Sequence, residues 1–465
     1  MSHAKLSTLL CLLAAAAGCG GNEDEKKTCS LADPVKTCEG GRVCEEAGGQ
    51  PVCVAALVVR GRVTDPAGMP IAGALVTALD GNDAPATGTA TSGNDGSFEL
   101  RVPTGRDEKG APLVRQVKLR AAAAGFETFP AGLRRSLPLE LSAAQMLEGK
   151  LVYASSATDI ILYPIANAGA LGSIAGVVQG APGKRGVLVV GEGPTAVSGI
   201  SDAEGAYAIF NVAPGMYTVR GYAAGVQLAP ASAAVAAGAR AAGVDLNPVN
   251  TPLGTVSGTV SIVNAPGGSM TSVVLVVAST FNEALKRGSV PPGLRAPRAG
   301  VPVVSGAFSI ADVPDGAYVV LAAFENDGLV RDPDTAIGGT QIQRVTIGEG
   351  SRQATLPAGF KITEALAVMS PGAGEALEAV TGAPTFVWKD DSSEDRYALE
   401  LFDGKGRMVW SNNQIARATG GNVSLPYGGP ALTRGELYQF RVTSFRRGDV
   451  PISQTEDLRG VFLAQ

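Results

Sequence analysis

Residues 202–219 have the sequence DAEGAYAIFNVAPGMYTV, and the same pattern occurs twice more along the chain. The upstream copy is NDGSFELRVPTG at 94–105, and the downstream copy is SGAFSIADVPDGAYVV at 305–320. Each copy contains a glycine, a spacer, an aromatic residue, a valine and a turn with Pro or Gly. We expect each copy to form a β-hairpin, in which this turn joins two apolar strands. Repetition at this scale predicts an array of similar modules.

The composition supports an all-β protein. The chain has 465 residues, and its 61 Gly and 29 Pro lie between short apolar runs, as is typical of many short strands joined by turns. Hydrophobic residues make up 45% of the chain, so cores can form. We therefore predict tandem Greek-key β-sandwiches arranged like beads on a string. The net charge of −5 is small and spread along the chain, which argues against nucleic acid as a partner.

The scarcity of histidine bears on catalysis. The one histidine, His3, lies in a segment that we expect to be removed. Without it, the mature chain lacks a residue required for Ser-His-Asp and Cys-His chemistry and for the usual zinc sites. We predict no catalytic residue, no cofactor and no metal. An enzyme that uses carboxylates alone is the alternative, because four acids cluster beside Trp388. These acids are Asp390, Asp391, Glu394 and Asp395.

Residues 1–18 are interpreted as a secretory signal peptide. Lys5 provides the positive charge, and the apolar run after it is too short to span a bilayer. The run ends in LAAAAGC at 13–19, which resembles the lipobox of bacterial lipoproteins. That resemblance implies cleavage before Cys19 and acylation of its thiol and new amine, so that several acyl chains anchor the protein. An ordinary signal peptide that leaves Cys19 as a thiol is the alternative.

A tether and a Cys-rich segment, residues 19–56, follow the signal peptide. By analogy with lipoprotein sorting, Gly20 rather than an aspartate after Cys19 favours the outer membrane. In an oxidising compartment, the four remaining cysteines predict two disulfides, with three connectivities open. A metal site is a weaker alternative, because the segment has no CxxC pair and no histidine. The four cysteines are Cys29, Cys38, Cys44 and Cys53.

Three modules and a different C-terminal module follow. Each of the three opens with a strand whose apolar residues alternate around a glycine, namely VRGRV at 59–63, IAGVV at 174–178 and VSGTV at 256–260. A strand within 159–165 is expected to extend the first sandwich. The predicted modules are residues 57–165, 172–248, 254–358 and 360–465.

The first module carries a family resemblance. The segments GRV at 61–63, DPAG at 65–68, PIAGA at 70–74 and DGSF at 95–98 together resemble the carboxypeptidase regulatory-like domain. The resemblance implies a seven-stranded, prealbumin-like β-sandwich of the starch-binding-like group. It implies an accessory role, because the zinc site of those carboxypeptidases lies in a separate catalytic domain. The second and third modules retain the opening strand and the final repeat, with progressively less of the pattern between them.

Two further sets of charged residues have alternative interpretations. Asp95, Asp202 and Glu204 are candidate calcium ligands, but acids in turns more often bond their own backbone. An insertion at 281–300 in the third module contains four cations, which either form a solvated loop or contact an acidic glycan or headgroup. These cations are Lys286, Arg287, Arg295 and Arg298.

The C-terminal module carries a different resemblance. The segment LTRGELYQFRV at 432–442 is similar to part of fibronectin type III-like sandwiches, which implies that Tyr438 packs at a corner with its hydroxyl on the backbone. We expect Trp388 to lie in the core. Trp410 lies beside the predicted hairpin turn DGKG at 403–406, and it is the candidate for stacking on a sugar ring. Core or edge packing is the alternative for Trp410.

These features favour a non-catalytic, membrane-anchored lipoprotein of the cell envelope that acts as a binding, adhesion or scaffolding array. Its expected partners are the lipid bilayer, through acylated Cys19, and an envelope protein or polysaccharide. The alternative is a carbohydrate-binding accessory protein of the cell surface. That alternative rests on Trp410 and the starch-binding-like group, against an aromatic content of only 5%.

Overall fold

The computed structural model describes residues 29–31, 34–130, 135–180, 186–263, 271–282, 287–298, 304–324, 342–363, 366–374, 377–391, 394–446, 449–455 and 459–465. The expected signal peptide and Cys19 lie outside these residues. The described part of the chain folds into strands and four short 3-10 helices, so the predicted all-β class is confirmed. Within it, no helix is long and apolar enough to cross a membrane. The 3-10 helices are Leu141–Ala143, Ser156–Thr158, Ala168–Ala170 and Ala278–Thr280.

The Cys-rich segment forms an antiparallel hairpin, and the first module follows directly from it. The hairpin strands are β1 (Arg42–Ala47) and β2 (Gln50–Ala55). The strands of the first module, called module one, are β3 (Leu57–Thr64), β4 (Leu75–Leu79), β5 (Ala90–Thr91), β6 (Ser97–Arg101), β7 (Gln116–Ala122), β8 (Leu139–Glu140), β9 (Gln145–Leu147), β10 (Lys150–Tyr153) and β11 (Asp159–Ile161). As expected, β11 extends the first sandwich by pairing with β3.

Modules two and three repeat the same plan. The strands of module two are β12 (Gly172–Val177), β13 (Leu188–Glu192), β14 (Val197–Ile200), β15 (Ala206–Val212), β16 (Gly215–Tyr222), β17 (Ala231–Val235) and β18 (Arg240–Ala241). The strands of module three are β19 (Gly254–Val263), β20 (Thr271–Val277), β21 (Arg295–Ala296), β22 (Ala307–Val313), β23 (Gly316–Phe324), β24 (Gln343–Ile347), β25 (Gln353–Thr355) and β26 (Phe360–Thr363). Since β26 pairs with β19, residues 360–363 join module three rather than the C-terminal module.

The three modules share one sheet topology. In each, the opening strand (β3, β12 or β19) pairs antiparallel with the Gly-x-aromatic strand (β6, β15 or β22) and parallel with a later strand. The second sheet has the orders β5-β4-β7-β8, β14-β13-β16-β17 and β21-β20-β23-β24. Module two therefore has seven strands, three in one sheet and four in the other. The sequence repeats thus correspond to repeated sandwiches.

The predicted hairpins at the repeats are wrong in one respect. Strand β15 pairs with β12, whereas β16, which follows it after Pro214, pairs with β13 in the other sheet. Strands β22 and β23 divide in the same way. The Pro/Gly turn therefore carries the chain from one sheet of the sandwich to the other. Turn residues signal a reversal of the chain but do not specify which strands pair.

The aromatic residue that the three repeats share has the same structural role in each module. The aromatic residues Phe98, Tyr207 and Phe308 are all buried in their sandwich cores. The hydroxyl of Tyr207 donates a hydrogen bond to the carbonyl of Val244. Such burial of large side chains is the main source of stability in a sandwich.

In modules one and two, the glycine of the opening strand allows a neighbouring backbone segment to approach closely. A Cβ atom on Gly61 would lie 2.0 Å from the carbonyl oxygen of Thr158, and one on Gly176 would lie 2.0 Å from that of Val244. Both neighbours are backbone atoms, so a side chain cannot be accommodated by a rotamer change. The opening strand therefore requires glycine at this position.

The C-terminal sandwich has nine described strands, namely β27 (Val368–Ser370), β28 (Glu378–Val380), β29 (Thr385–Lys389), β30 (Arg396–Asp403), β31 (Met408–Ala416), β32 (Asn422–Pro426), β33 (Leu437–Arg446), β34 (Val450–Gln454) and β35 (Val461–Ala464). They form two sheets, with the orders β27-β29-β32 and β28-β35-β33-β30-β31, and β34 pairs with β33. The hairpin predicted at 403–406 is confirmed, because β30 and β31 are antiparallel and the Gly406 N–H donates to the Asp403 carbonyl at 2.8 Å.

We predict that Gly61→Ala destabilises module one by at least about 2 kcal/mol, because the new methyl group overlaps a backbone carbonyl. Urea unfolding monitored by circular dichroism measures this loss of unfolding free energy. The control is Gly169→Ala, since a Cβ atom there meets nothing within 4 Å. Equal stability of both variants would contradict the close-approach explanation.

Candidate functional site

The disulfide pairing selects one of the three open connectivities. Cys29 is bonded to Cys44, and Cys38 is bonded to Cys53. The sulfurs of three of these residues lie close enough to hold a metal ion. Since all four sulfurs are in disulfides, none of them is available as a thiolate ligand. The segment is therefore assigned as a covalently stapled hairpin.

The stapled hairpin packs against module one. The guanidinium Nε of Arg106 lies 3.1 Å from a carboxylate oxygen of Glu45, and both side chains are almost completely buried. The Arg106 N–H donates to the Glu46 carbonyl at 2.7 Å. Val43 of the hairpin shares an apolar cluster with Val58 of module one. A buried pair with this geometry fixes the hairpin's position, because either charge left alone would be costly.

Module two is clamped to module one by Asn211. Its side-chain oxygen accepts a hydrogen bond from the Gly125 N–H at 2.8 Å. Its amide nitrogen donates to the carbonyls of Ala123 (3.1 Å) and Phe126 (2.7 Å). Asn211 has a φ of 60°, in the left-handed region that asparagine tolerates better than most residues. It is the extra residue of a bulge in β15, and the bulge directs its side chain at the neighbouring module.

Module three contacts module two at the equivalent position. Asp312 also has a positive φ, 59°, in the bulge of β22, and its carbonyl accepts from the Gly225 N–H at 2.9 Å. The Asp315 N–H donates to the side chain of Gln227 at 2.8 Å. Gly125 and Gly225 occupy equivalent turns, which follow β7 and β16 in the shared topology. Modules one, two and three are therefore joined head to tail at equivalent positions, through the Asn211 side chain at the first junction and the Asp312 carbonyl at the second.

Module three also contacts module one directly. The Asp80 carboxylate caps its own turn by accepting from the N–H groups of Asn82 and Ala84, and it lies 3.3 Å from the guanidinium of Arg295 in module three. Burial raises the pKa of Asp80, and the Arg295 charge opposes that rise. Ala84 packs in an apolar cluster with strand residues of module three, including Val274. The insertion of module three is thus part of an intramolecular interface.

The C-terminal sandwich folds back onto module one. Phe402 and Leu437 are buried in the same apolar cluster as the core of module one. The Leu437 N–H donates to the hydroxyl of Ser156 at 3.1 Å, and the Arg135 N–H donates to the carbonyl of Gly406 at 2.9 Å. The sandwiches are tandem, as expected, but they are packed on one another and are not separate beads on a string. The physical reason is that apolar side chains and main-chain groups at the module ends are satisfied by neighbouring modules.

The cations of the insertion are engaged within the protein. Arg295 pairs with Asp80, and Arg298 lies 2.7 Å from the carboxylate of Asp312. Arg287 contributes main-chain hydrogen bonds with Asn282. Lys286 lies outside the described residues. Of the described cations, Arg295 joins the interface with module one, whereas Arg298 pairs within module three and Arg287 is bonded within the insertion.

The candidate calcium ligands serve their own turns. Asp95 accepts hydrogen bonds from the N–H and hydroxyl of Ser97 at 3.0 and 2.7 Å, and the hydroxyl bond lowers the pKa of Asp95. Asp202 accepts from the N–H groups of Glu204 and Ala206. Each carboxylate thus has the backbone partners that are typical of a turn. Among the described residues, none of Asp95, Asp202 and Glu204 belongs to a group of three or more acidic or other ligand side chains close enough to hold a metal ion.

The four acids beside Trp388 mostly stabilise their loop. Asp390 accepts from the Tyr397 hydroxyl at 2.9 Å and from the Gly420 N–H at 2.9 Å. Asp391 accepts from the hydroxyl of Ser444 at 3.1 Å. Glu394 is buried, with one carboxylate oxygen that has no hydrogen-bond partner. Burial raises its pKa to about 7, and the charges of Asp390 and Asp391 add to the rise.

Trp410 and Tyr438 take defined places in the C-terminal sandwich. The Trp410 ring is half-buried, stacked at 6.2 Å on Phe386 and edge-on at 5.2 Å to Tyr427. These contacts correspond to the alternative of edge packing, and sugar stacking by Trp410 stays a prediction. Trp388 is fully buried, as expected. The Tyr438 hydroxyl accepts a hydrogen bond from the Thr433 N–H at 2.9 Å, which matches the corner role expected for it.

The interface residues were not identified from the sequence. In modules two and three, the valine of the repeat comes five positions after the aromatic residue, and Asn211 or Asp312 lies directly before that valine. In module one, Val102 comes only four positions after Phe98. This one-residue difference is the available signal for the bulge. It does not indicate that the extra residue contacts another module.

Comparisons with known proteins cover part of the chain. A family model for the carboxypeptidase regulatory-like domain matches residues 58–132, so the resemblance of module one is confirmed. No curated protein matches the chain.

The chain is also similar to several solved structures. One is chlorocatechol 1,2-dioxygenase from Pseudomonas putida, at 12% identity and a TM-score of 0.17, with 23% of this chain and 60% of the dioxygenase covered. Another is the TIE protein of Bacillus anthracis, at 12% identity and a TM-score of 0.14, with 85% of this chain and 68% of the TIE protein covered. A third is BcpA, the major pilin subunit of Bacillus cereus, at 10% identity and a TM-score of 0.17, with 66% of this chain and 99% of BcpA covered. TM-scores this low carry no conclusion about function.

We predict that Glu394→Gln changes stability in a pH-dependent way. Between pH 4.5 and about 7, the folded chain keeps a proton on Glu394 that the unfolded chain has lost, so this group makes the folded state less stable as pH rises. The variant should therefore gain on the order of 2 kcal/mol over the wild type between pH 4.5 and pH 8. Urea unfolding at both pH values measures the gain, with Asp395→Asn as the control in the same loop. A gain that is the same at both pH values would contradict the burial of an ionisable Glu394.

Proposed function

We propose that the protein is a non-catalytic, lipid-anchored scaffold of the cell envelope. The observation that carries this proposal is the repeated docking of modules through Asn211 and Asp312, which joins them into one body. Separate modules on linkers would serve as a flexible tether, whereas interlocked modules hold a surface at a fixed distance and orientation. The match of module one to an accessory domain family supports a role without catalysis.

The anchor in this proposal is the acylated Cys19, with the outer membrane as its site. Cys29 is ten positions after Cys19, so the lipid lies within roughly 35 Å of the stapled hairpin when the chain is extended. The hairpin is itself fixed to module one by the pair of Arg106 and Glu45. The short tether and the fixed hairpin together keep the scaffold close to the bilayer.

The partner in this proposal is an envelope protein or a polysaccharide. A scaffold that is fixed close to the membrane presents the exposed surfaces of its modules to such a partner. Chemical crosslinking of envelopes, followed by co-purification with this chain, identifies a protein partner. Retention of the chain on isolated peptidoglycan or other insoluble polysaccharides identifies a glycan partner. Retention on neither material would contradict the binding role and leave a spacer role.

We predict that Cys19→Ser abolishes membrane anchoring, because the hydroxyl cannot receive the thioether-linked diacylglyceryl group. Membrane partitioning and intact-mass measurement of the full chain test this, with Cys11→Ser as the control within the signal peptide. Unchanged partitioning of the Cys19 variant would refute the anchor and leave the scaffold to be tested separately.

We predict that Asn211→Gly loosens the contact between modules one and two. Glycine tolerates the positive φ of this position, so the change removes the three side-chain hydrogen bonds without adding backbone strain. Hydrogen exchange of the Gly125 amide should accelerate at least about tenfold, since each lost bond contributes about 1 kcal/mol.

Asp312→Gly is the matched control for that experiment. It removes only the half-exposed ion pair with Arg298, while the carbonyl that accepts from Gly225 remains. Such an exposed pair contributes about 0–1 kcal/mol. The Gly225 amide should therefore keep most of its protection. Unchanged exchange at Gly125 in the Asn211 variant would contradict the clamp.

A further inference from the structure

Three large apolar side chains are exposed where the stapled hairpin meets module one, and together they are called the apolar rim. Leu31 and Val35 lie in the loop that the two disulfides tie to β1 and β2, and Leu113 lies in the segment before β7. Their exposed fractions are 49%, 59% and 63%, respectively. Exposed apolar residues that occur singly are common, whereas several that lie together mark a surface for another molecule.

The loop that carries Val35 is bonded to the outer edge of β1. The Cys44 N–H of β1 donates to the carbonyl of Pro34, the residue before Val35, at 2.8 Å. Since β2 pairs with the other edge of β1, this bond places Val35 beside the edge of β1 that faces away from β2.

The segment that carries Leu113 lies along the same edge of β1. The Arg106 N–H donates to the carbonyl of Glu46 at 2.7 Å. The Leu113 N–H donates in turn to the carbonyl of Gly105 at 3.3 Å. Cys44 and Glu46 are two positions apart, so the two contacts with β1 lie roughly 7 Å from each other along the strand. The apolar rim is therefore gathered at one edge of the hairpin.

The apolar rim lies at the end of module one that is opposite to module two. Leu113 lies just before β7 begins. Gly125, which is bonded to Asn211 of module two, lies just after β7 ends. The seven residues of β7 span roughly 23 Å. Module two therefore docks at the far end of this strand from the rim.

The proposed lipid anchor enters the protein at the same end as the rim. Leu31 is twelve positions after Cys19, so it lies within roughly 43 Å of the lipid-bearing residue even when the chain is extended. A surface that is tethered this close to a bilayer meets it at a high effective concentration. The bilayer is therefore the molecule best placed to cover the apolar rim.

We propose that the apolar rim docks on the lipid bilayer, with Leu31, Val35 and Leu113 inserted at the boundary between headgroups and acyl chains. This inference rests on the proposed anchor at Cys19. Leucine and valine side chains gain free energy when they leave water for this apolar boundary. Since module two lies at the other end of β7, a docked rim makes the array of modules project away from the membrane.

The test is fluorescence quenching of the acylated full chain in phosphatidylcholine vesicles. Bromine on the lipid acyl chains quenches only a tryptophan that lies close to them. In Leu113→Trp, the emission of the added tryptophan should fall at least about twofold when brominated lipid replaces plain lipid, because side chains at this boundary lie roughly 5–10 Å into the bilayer. The signal of the unsubstituted chain is subtracted, since Trp388 and Trp410 also emit.

The matched control is Met216→Trp, because Met216 is 65% exposed but lies in module two. Its added tryptophan should keep its emission in brominated vesicles. Circular dichroism of each variant checks that the fold is intact, and flotation of the same vesicles measures the anchor separately.

The outcomes distinguish the docking from the anchor. Flotation with quenching of the Leu113 variant alone supports the docking. Flotation without this quenching, or equal quenching of both variants, would overturn the docking and leave the anchor in place. A chain that does not float with the vesicles would refute the anchor and the docking together.

Discussion

The hydrogen bonds between the Asn211 side chain and the Gly125 turn are the interaction on which the arrangement of modules depends. A bulge residue with positive φ carries a side chain that satisfies one N–H and two carbonyls of the preceding module. Such groups would otherwise need water as a partner at the end of a sandwich. Asp312 meets Gly225 at the equivalent place through its carbonyl. The same bulge position therefore makes both junctions, through a side chain at the first and a backbone carbonyl at the second.

Module one is the hub of this arrangement. The stapled hairpin is held by its buried ion pair, module two by Asn211, module three by the Asp80 turn, and the C-terminal sandwich by a shared apolar core. Module one is also the part of the chain that matches the carboxypeptidase regulatory-like family. The turns that follow β4 and β7 of its second sheet contact modules three and two.

The sequence predicts the class and the repeats well, because both depend on local patterns. The glycine in each opening strand and the aromatic residues Phe98, Tyr207 and Phe308 identify the sandwiches, and the structure explains them by close approach and core burial. The division of each repeat between two sheets was not predictable, since strand pairing is a long-range choice. Docking of modules was also missed. Asn211 looks like an ordinary turn residue until its partner, 86 positions earlier in the chain, is known.

Small-angle X-ray scattering of the full chain in detergent-free solution, as the Cys19→Ser variant, tests the central claim most directly. If the sandwiches form one body, the scattering profile fits the described arrangement of modules, with a single compact distance distribution that does not change with ionic strength. If the modules are joined only by linkers, the profile instead shows an extended, flexible chain with a markedly larger radius of gyration. That second result would contradict the scaffold and indicate a string of independent sandwiches.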